Sequence, residues 1–292
     1  MTHGLLLIDK PARMTSHDVV ARTRRLLGTR AVGHAGTLDP MATGLLILFA
    51  NNATRLSEYV LGADKTYEAT VKLGERTNTD DAEGEVVQTR PVQVTAEQAQ
   101  TAAAQFIGQI EQIPPQFSAI SKNGVRAYAL ARKGETVELD SRRVVIHRLD
   151  VALAGADTLR LSVDCGSGTY IRALARDLGE ALGCGAHLSA LRRTRVGAFD
   201  VREAAPLDAL TPEQAQARLL PMDLAAQHFP RADLSADQAQ KFTRGIAISP
   251  FPAGGDGSGL RRVYDSAGRF MAVGEYDPAA QKLRPVKVLV HE

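Results

Sequence analysis

The chain has 292 residues, 44% apolar and 23% charged, and its 35 Lys and Arg against 33 Asp and Glu leave a net charge of +2. This excludes a disordered or fibrous chain and provides enough apolar side chains for one large domain and a small one. Two cysteines, Cys165 and Cys184, are too few for a disulfide framework or a four-ligand zinc site, so free thiols in a reducing compartment are expected. The N-terminal apolar residues 5–8 are stopped at once by Asp9, too soon for a signal peptide, and no apolar run reaches membrane-spanning length. The expected location is the cytoplasm, with no membrane partner.

In chain order, residues 4–8 read as a first strand and Asp9-Lys10-Pro11 as the turn that ends it. Ser16 is the expected cap of a helix with Val19, Thr23 and Leu26 on its stripe, Arg22, Arg24 and Arg25 off it, and Gly28 as its stop. These arginines and Arg30 form either a solvated helix face or a place to meet phosphate. Then comes GHAGTLDPMATGLLIL, starting at Gly33. Gly33 and Gly36 permit backbone angles that a side chain forbids, and Pro40 holds Asp39 out of the helical region. Asp39 therefore stands on a shaped turn ahead of a short apolar strand, residues 45–50, covered on both faces. Such an acid either caps local backbone donors or presents one functional group held still, and spacing leaves both open. His34 has no second histidine or cysteine at ligand spacing, so no metal is expected.

Residues 65–73 alternate, with Tyr67, Ala69, Val71 and Leu73 on one face, which turns Tyr67 toward the core. Residues 77–84 form an acidic turn without the spacing of a calcium loop. Thr95 and Gln98 make a capping box for a helix expected to end at Gly108. Residues 114–148 are basic, with Lys122, Arg126, Arg132, Lys133, Arg142, Arg143 and Arg148, and Phe117 and Tyr128 are interleaved. That composition suits an RNA surface or a solvated excursion from the core equally well. Residues 159–163 alternate as a strand, and Gly166-Ser167-Gly168 turns it into a helix bearing Ile171, Leu174, Leu178 and Leu182 on one stripe. Arg172, at the start of that helix, opposes the helix dipole and requires an anionic partner. Residues 206–221 read as a helix and Phe229-Pro230 as a domain boundary. A helix capped by Ser235 and Gln238 follows, then strands around Val263, residues 270–276 and residues 283–290, with a glycine-rich interruption at 250–259.

Gly-His-Ala-Gly-Thr-Leu-Asp-Pro followed by Ala-Thr-Gly-Leu-Leu resembles the signature loop of the TruB family of tRNA pseudouridine synthases. Lys-Thr-Tyr-Glu around Tyr67 and Gly-Thr-Tyr-Ile-Arg ending at Arg172 resemble two further motifs of that family. The resemblance implies an α/β fold built on a mixed sheet, with a catalytic domain over 1–229 and a small PUA-like β-barrel over 230–292. Asp39 would be the nucleophile, and Arg172 would pair with it and keep it charged. Tyr67 would stack on the target base and be a candidate for proton removal. His34 would pack against the flipped nucleotide, Tyr170 and Leu191 would line the pocket, and Asp81 would have a hydrogen-bonding role beside it. The segment 114–148 resembles an insertion that closes over the tRNA T loop, where Lys122, Arg126 and Arg132 would meet phosphate, as would Arg192, Arg193 and Arg195. The implied reaction converts the uridine at position 55 of tRNA to pseudouridine without a cofactor. The partner is the tRNA T-arm alone, with no guide RNA or protein, and a monomer is expected. Two rival readings share the basic surfaces: a guide-dependent pseudouridine synthase and a tRNA-folding chaperone.

Overall fold

A computed structural model describes residues 3–117, 139–251 and 257–289 in full, together with the backbone of two short strands between the first two segments. Strand β1 (Gly4–Lys10) and helix α1 (Ser16–Leu27) lead through β2 (Val32–His34) to β3 (Thr43–Ala50), helix α2 (Ser57–Leu61) and β4 (Lys65–Leu73). The ribbon β5 (Glu75–Thr77) and β6 (Val86–Thr89) precedes helix α3 (Ala96–Ala104) and β7 (Gly108–Gln112). After the pair β8 (Ser121–Lys122) and β9 (Val125–Arg126) come β10 (Arg142–Gly155), β11 (Thr158–Cys165), helix α4 (Ile171–Ala181) and β12 (Ala186–Val196). Strands β13 (Phe199–Asp200) and β14 (Ala205–Pro206) and helix α5 (Pro212–Ala217) complete the larger part. The smaller part holds β15 (Arg231–Asp233), helix α6 (Ala236–Thr243), β16 (Gly259–Tyr264), β17 (Phe270–Asp277) and β18 (Lys282–Val288).

The main sheet runs β14-β1-β3-β12-β4-β11-β10-β7, with β2 on β3 and β13 on β12. It is mixed, because β12 lies parallel to β3 but antiparallel to β4. The period-2 pattern of its first strands sorts their side chains between two cores. Leu6, Ile8, Leu46 and Leu48 pack on the face covered by Val19 of α1 and Ile171, Leu174 and Leu178 of α4. Leu5, Leu7, Leu45, Ile47 and Phe49 pack on the other face with Leu56 and Val60, where Tyr264, Phe270, Val273 and Leu289 of the smaller part join them. The two parts thus share one apolar core. The described residues of the smaller part form a four-stranded sheet, β15-β16-β17-β18, with an added bridge between Ile248 and Leu283. Phe242 of α6 is buried in its core with Val263 and Leu283.

Several local expectations need correction. Helix α1 is capped by Thr15, not Ser16, because Asp18 three residues on closes a capping box with Thr15 and frees Ser16 to turn inward. The helix from Thr95 stops at Ala104 and Gly108 opens a strand instead. Residues 206–221 hold only a short turn, Leu207–Ala209, and then α5, because Leu210 is extended and Thr211 starts a new capping box ahead of Pro212. Of the basic stretch, Arg142, Arg143 and Arg148 are exposed side chains of the long sheet strand β10, whose Val144, Ile146 and Leu149 face the core. The side chains of Lys122, Arg126, Tyr128, Arg132 and Lys133 lie outside the described residues. Cys165 and Cys184 are buried free thiols, and burial pushes the Cys165 thiol up to about 11.

A tight backbone approach joins the strand that follows the Asp39 loop to β12. Gly44 has φ +100°, and a Cβ placed on it would lie 2.2 Å from the Arg193 carbonyl oxygen. Replacement by alanine therefore forces the two strands apart as well as straining the backbone. Gly44→Ala is expected to destabilise the fold by roughly 2–4 kcal/mol, read by chemical denaturation. A loss under about 0.5 kcal/mol, the range of neutral surface changes, would contradict this packing.

Candidate active site

Asp39 stands at the end of a loop that the rest of the molecule holds from several sides. Its carbonyl accepts from the Ala42 amide at 3.1 Å, closing the turn around Pro40. Just before it, the Leu38 amide donates to Ser16 Oγ at 2.9 Å and the Ser16 hydroxyl is 3.2 Å from the Leu38 carbonyl. Lys10, fully buried at the end of β1, donates to the carbonyls of Pro11, Met14 and Pro40 at 2.9, 2.6 and 3.3 Å. Burial lowers its ammonium to about 8, against the pull of Asp39 and Glu83. Arg193 is 1% exposed and donates to the carbonyls of Leu45 at 2.8 Å and Gly36 at 3.1 Å. Gly36 takes φ +89°, whereas Gly33 lies outside the left-handed region and needs no such freedom. A loop rich in unpaired carbonyls is thus satisfied by two buried cations.

The cleft in front of Asp39 has a volume of about 650 Å³ and is lined by Tyr67, Tyr170, Arg172, Leu191 and Arg193 among others. Arg172 is its electrostatic centre. Its Nη2 donates to Asp39 Oδ1 at 3.3 Å, and its Nε lies 3.1 Å from Asp39 Oδ2. Nη1 donates to Asp81 Oδ2 at 3.2 Å and to the Thr79 carbonyl at 3.1 Å, and Nη2 also donates to the Phe117 carbonyl at 2.9 Å. Asp81 is itself oriented, accepting from the Thr79 hydroxyl at 2.6 Å and the Glu83 amide at 3.1 Å. One turn later on α4, Arg176 pairs with Asp80 at 2.8 Å. The acidic turn is therefore an anchor for the two arginines of α4. The start of α4 is pinned by Gln112, which accepts from the Tyr170 amide at 2.8 Å and donates to its carbonyl at 3.1 Å.

The Asp39 carboxyl is held above its ordinary value, chiefly by burial, with Asp81 adding to the rise and Arg172 opposing it. The arginine thus limits the shift rather than reversing it. The 35% of the Asp39 side chain still exposed belongs to a residue lining the cleft, so an occupant of the cleft would desolvate it further. Tyr67 faces inward from β4 as the alternation requires, and burial raises its phenol, which is therefore neutral near pH 7. Leu191 is buried at the cleft wall. His34 does not line this cleft. It meets the His17 ring edge-on at 5.8 Å, and burial lowers its pKa. Arg192 grips Asp9 with both terminal nitrogens, at 3.0 and 2.8 Å, and Arg193 is interior, so neither is a free phosphate contact. Lys10 and Gln112 escaped the sequence reading, and Arg193, expected at phosphate, holds the loop from inside instead. The available signals were a lysine closing an apolar strand and an arginine in register with Leu191 on an alternating strand.

Arg172 and Asp81 are each 5% exposed, so removing the cation leaves buried negative charge uncompensated. Arg172→Met is expected to lose about 3–5 kcal/mol of stability in equilibrium denaturation. An unchanged midpoint would mean that the carboxylates are not held as charged partners.

The comparisons with known proteins cover nearly the whole chain. Family models described as TruB family pseudouridylate synthase (N terminal domain), tRNA pseudouridylate synthase B C-terminal domain, and Pseudouridine synthase II TruB, C-terminal, match residues 24–171, 172–227 and 230–289. The chain is 49% identical over 294 aligned positions to tRNA pseudouridine synthase B of Mycobacterium sp. (strain KMS), covering 98% of this chain and 96% of that protein. It is 52% identical over 267 positions to the protein of the same name from Arthrobacter sp. (strain FB24), covering 89% and 85%. Among solved structures it is similar to a chain of a Cbf5-Nop10-Gar1 complex, at 26% identity and a TM-score of 0.71 over 99% of this chain and 84% of that one. A chain of an H/ACA RNP bound to a substrate RNA containing 2'-deoxyuridine gives 25% identity and the same TM-score, with coverage of 99% and 84%. Identity of this extent, with three family models matching in succession, shows that the chain belongs to the TruB family of pseudouridylate synthases.

Proposed function

We propose that the protein is a stand-alone tRNA pseudouridine synthase that isomerises the uridine at position 55 of the T loop, with Asp39 as nucleophile. The observation that carries this reading is the Asp39 carboxylate lining a cleft, gripped by a buried arginine whose other side is tied to Asp81. Isomerisation breaks the C1′–N1 bond, turns the base and joins C1′ to C5, with one proton lost from C5 and one gained at N1. No electrons enter or leave, so the reaction requires no redox cofactor. The target uridine leaves its stack to reach the cleft, where Tyr67 and Leu191 would sandwich the base. A phenol kept neutral by burial fits stacking better than proton acceptance near pH 7. Tyr170, and Lys122, Arg126 and Arg132 of the 114–148 segment, would contact the RNA around the target, with residues 230–292 as a second RNA-binding part. The reaction would take place in the cytoplasm on a monomer.

The solved neighbours come from assemblies with partner proteins, which would fit a guided enzyme. The relatives at 49–52% identity named tRNA pseudouridine synthase B favour the unguided one. Purified protein alone is expected to convert one uridine in an isolated T-arm hairpin in a single-turnover assay, with the position mapped afterwards. Asp39→Asn is expected to abolish conversion while RNA affinity changes by no more than about threefold. Product appearing only after guide RNA and partner proteins are added would refute the stand-alone reading.

The pH dependence follows from the same geometry. The attacking species is the carboxylate, so the rate falls as pH drops through the Asp39 pKa, which lies above the ordinary 3.8. Asp81→Asn removes the charge that pushes Asp39 up and leaves Arg172 to it, so the acid limb is expected to move to lower pH. The plateau falls too, because Arg172 loses an anchor. A limb displaced upward in this variant would refute the assignment.

A further inference from the structure

One wall of the Asp39 cleft belongs neither to the catalytic loop nor to the central sheet. Helix α2 brings Glu58 and Leu61 to the cleft, followed by Gly62, and Leu61 is 51% exposed there. A helix of five residues without a side-chain cap at its N-terminus has too little hydrogen bonding to stand alone. Its position is set by what grips it.

From one side the grip is Lys65 at the start of β4, two positions before Tyr67. Its ammonium donates to the Leu61 carbonyl at 3.0 Å and the Ala63 carbonyl at 2.6 Å. From the other side the grip comes from β18, the last strand. Lys287 donates to the Arg55 carbonyl at 2.7 Å, pairs with Glu58 and lies 5.4 Å from the centre of the Tyr59 ring. The Arg55 guanidinium returns a hydrogen bond to the Val288 carbonyl. Leu289 lies in the same buried cluster as Leu56 and Val60. Tyr59 is also packed edge-on against Phe229 at 5.3 Å, at the junction of the two parts.

We propose that Lys287 is a positioning residue for catalysis: through helix α2, the C-terminal part sets the cleft wall against which the reacting nucleotide packs. This rests on the reading of the Asp39 cleft as the site of uridine isomerisation. A partly exposed ion pair alone contributes little. Here the ammonium also holds the Arg55 carbonyl in the turn that leads into this short helix and lies beside the Tyr59 ring on it, and small displacements of a positioning surface slow a reaction out of proportion to their energy. A tail that only binds RNA affects affinity, whereas a positioning element affects the rate at saturating RNA.

The test uses the full-length protein and the variants Lys287→Met, Lys287→Arg and Arg55→Met. Hydrogen–deuterium exchange is followed at residues 57–63, and pseudouridine formation is measured in single turnovers with saturating T-arm hairpin. In Lys287→Met, exchange in this segment is expected to rise about tenfold and the rate to fall about 3- to 10-fold, with hairpin affinity within about twofold. Arg55→Met should move both in the same direction, and Lys287→Arg, which keeps the charge, should restore both. Unchanged exchange over 57–63, or loss of affinity with an intact saturated rate, overturns the proposal. A wild-type protein that forms no pseudouridine defeats the isomerisation reading instead, and exchange in Lys287→Met then decides this one.

Discussion

The site depends on one guanidinium shared between two carboxylates. Arg172 stands where the N-terminal end of α4 would repel it, and it remains because Asp39 and Asp81 approach from opposite sides. Either carboxylate alone would leave part of its planar fork without a charged acceptor, and a compact ammonium could not serve both. Asp81, tied down by Thr79 and the Glu83 amide, fixes the arginine so that Asp39 meets a preset partner. The arrangement also balances the carboxyl's titration, since burial and Asp81 raise it while Arg172 restrains the rise. A carboxylate answered by its cation alone would be held low in its range, and the opposing influences avoid that.

The rest of the main sheet exists, from the viewpoint of the site, to keep the Asp39 loop still. Lys10 and Arg193 are spent on loop carbonyls rather than on carboxylates. Both pay the desolvation of an interior charge, offset by several hydrogen bonds each. The parallel pairing of β12 with β3 brings Arg193 against Gly44, so the loop, the strand behind it and the strand carrying Leu191 are packed into one unit. Such packing presents the cleft with its geometry already set.

The larger and smaller parts are joined by a continuous apolar core in which Leu45, Ile47 and Phe49 of β3 lie with Tyr264, Phe270 and Leu289. At its edge, the Tyr264 hydroxyl donates to Asp223 at 2.6 Å, and burial, helped by this hydrogen bond, raises the phenol to about 12. Contact of this kind makes the C-terminal sheet a fixed neighbour of the strand behind the Asp39 loop.

Patterns confined to a few residues were legible in the chain by itself. The buried run after Gly44, the alternation around Tyr67, the stripe of α4 and the capping boxes at Thr95 and Ser235 all appear as read, because each is written in separations of two to four residues. The Thr15 box was legible too, since Asp18 lies three residues beyond it, yet Ser16 next to it offers the same hydroxyl. Motif resemblance singled out Asp39, Tyr67 and Arg172, and the need of Arg172 for an anion followed from the dipole alone. The resemblance named Asp39 as one partner, 133 residues away in sequence, and only the tertiary structure showed that Asp81, 91 residues away, is the other. The same holds for the inward turn of Arg193, the edge-on seat of His34 against His17 and the upward direction of the Asp39 pKa. Each depends on sheet register and on what covers a group from distant segments, and no local spacing encodes either.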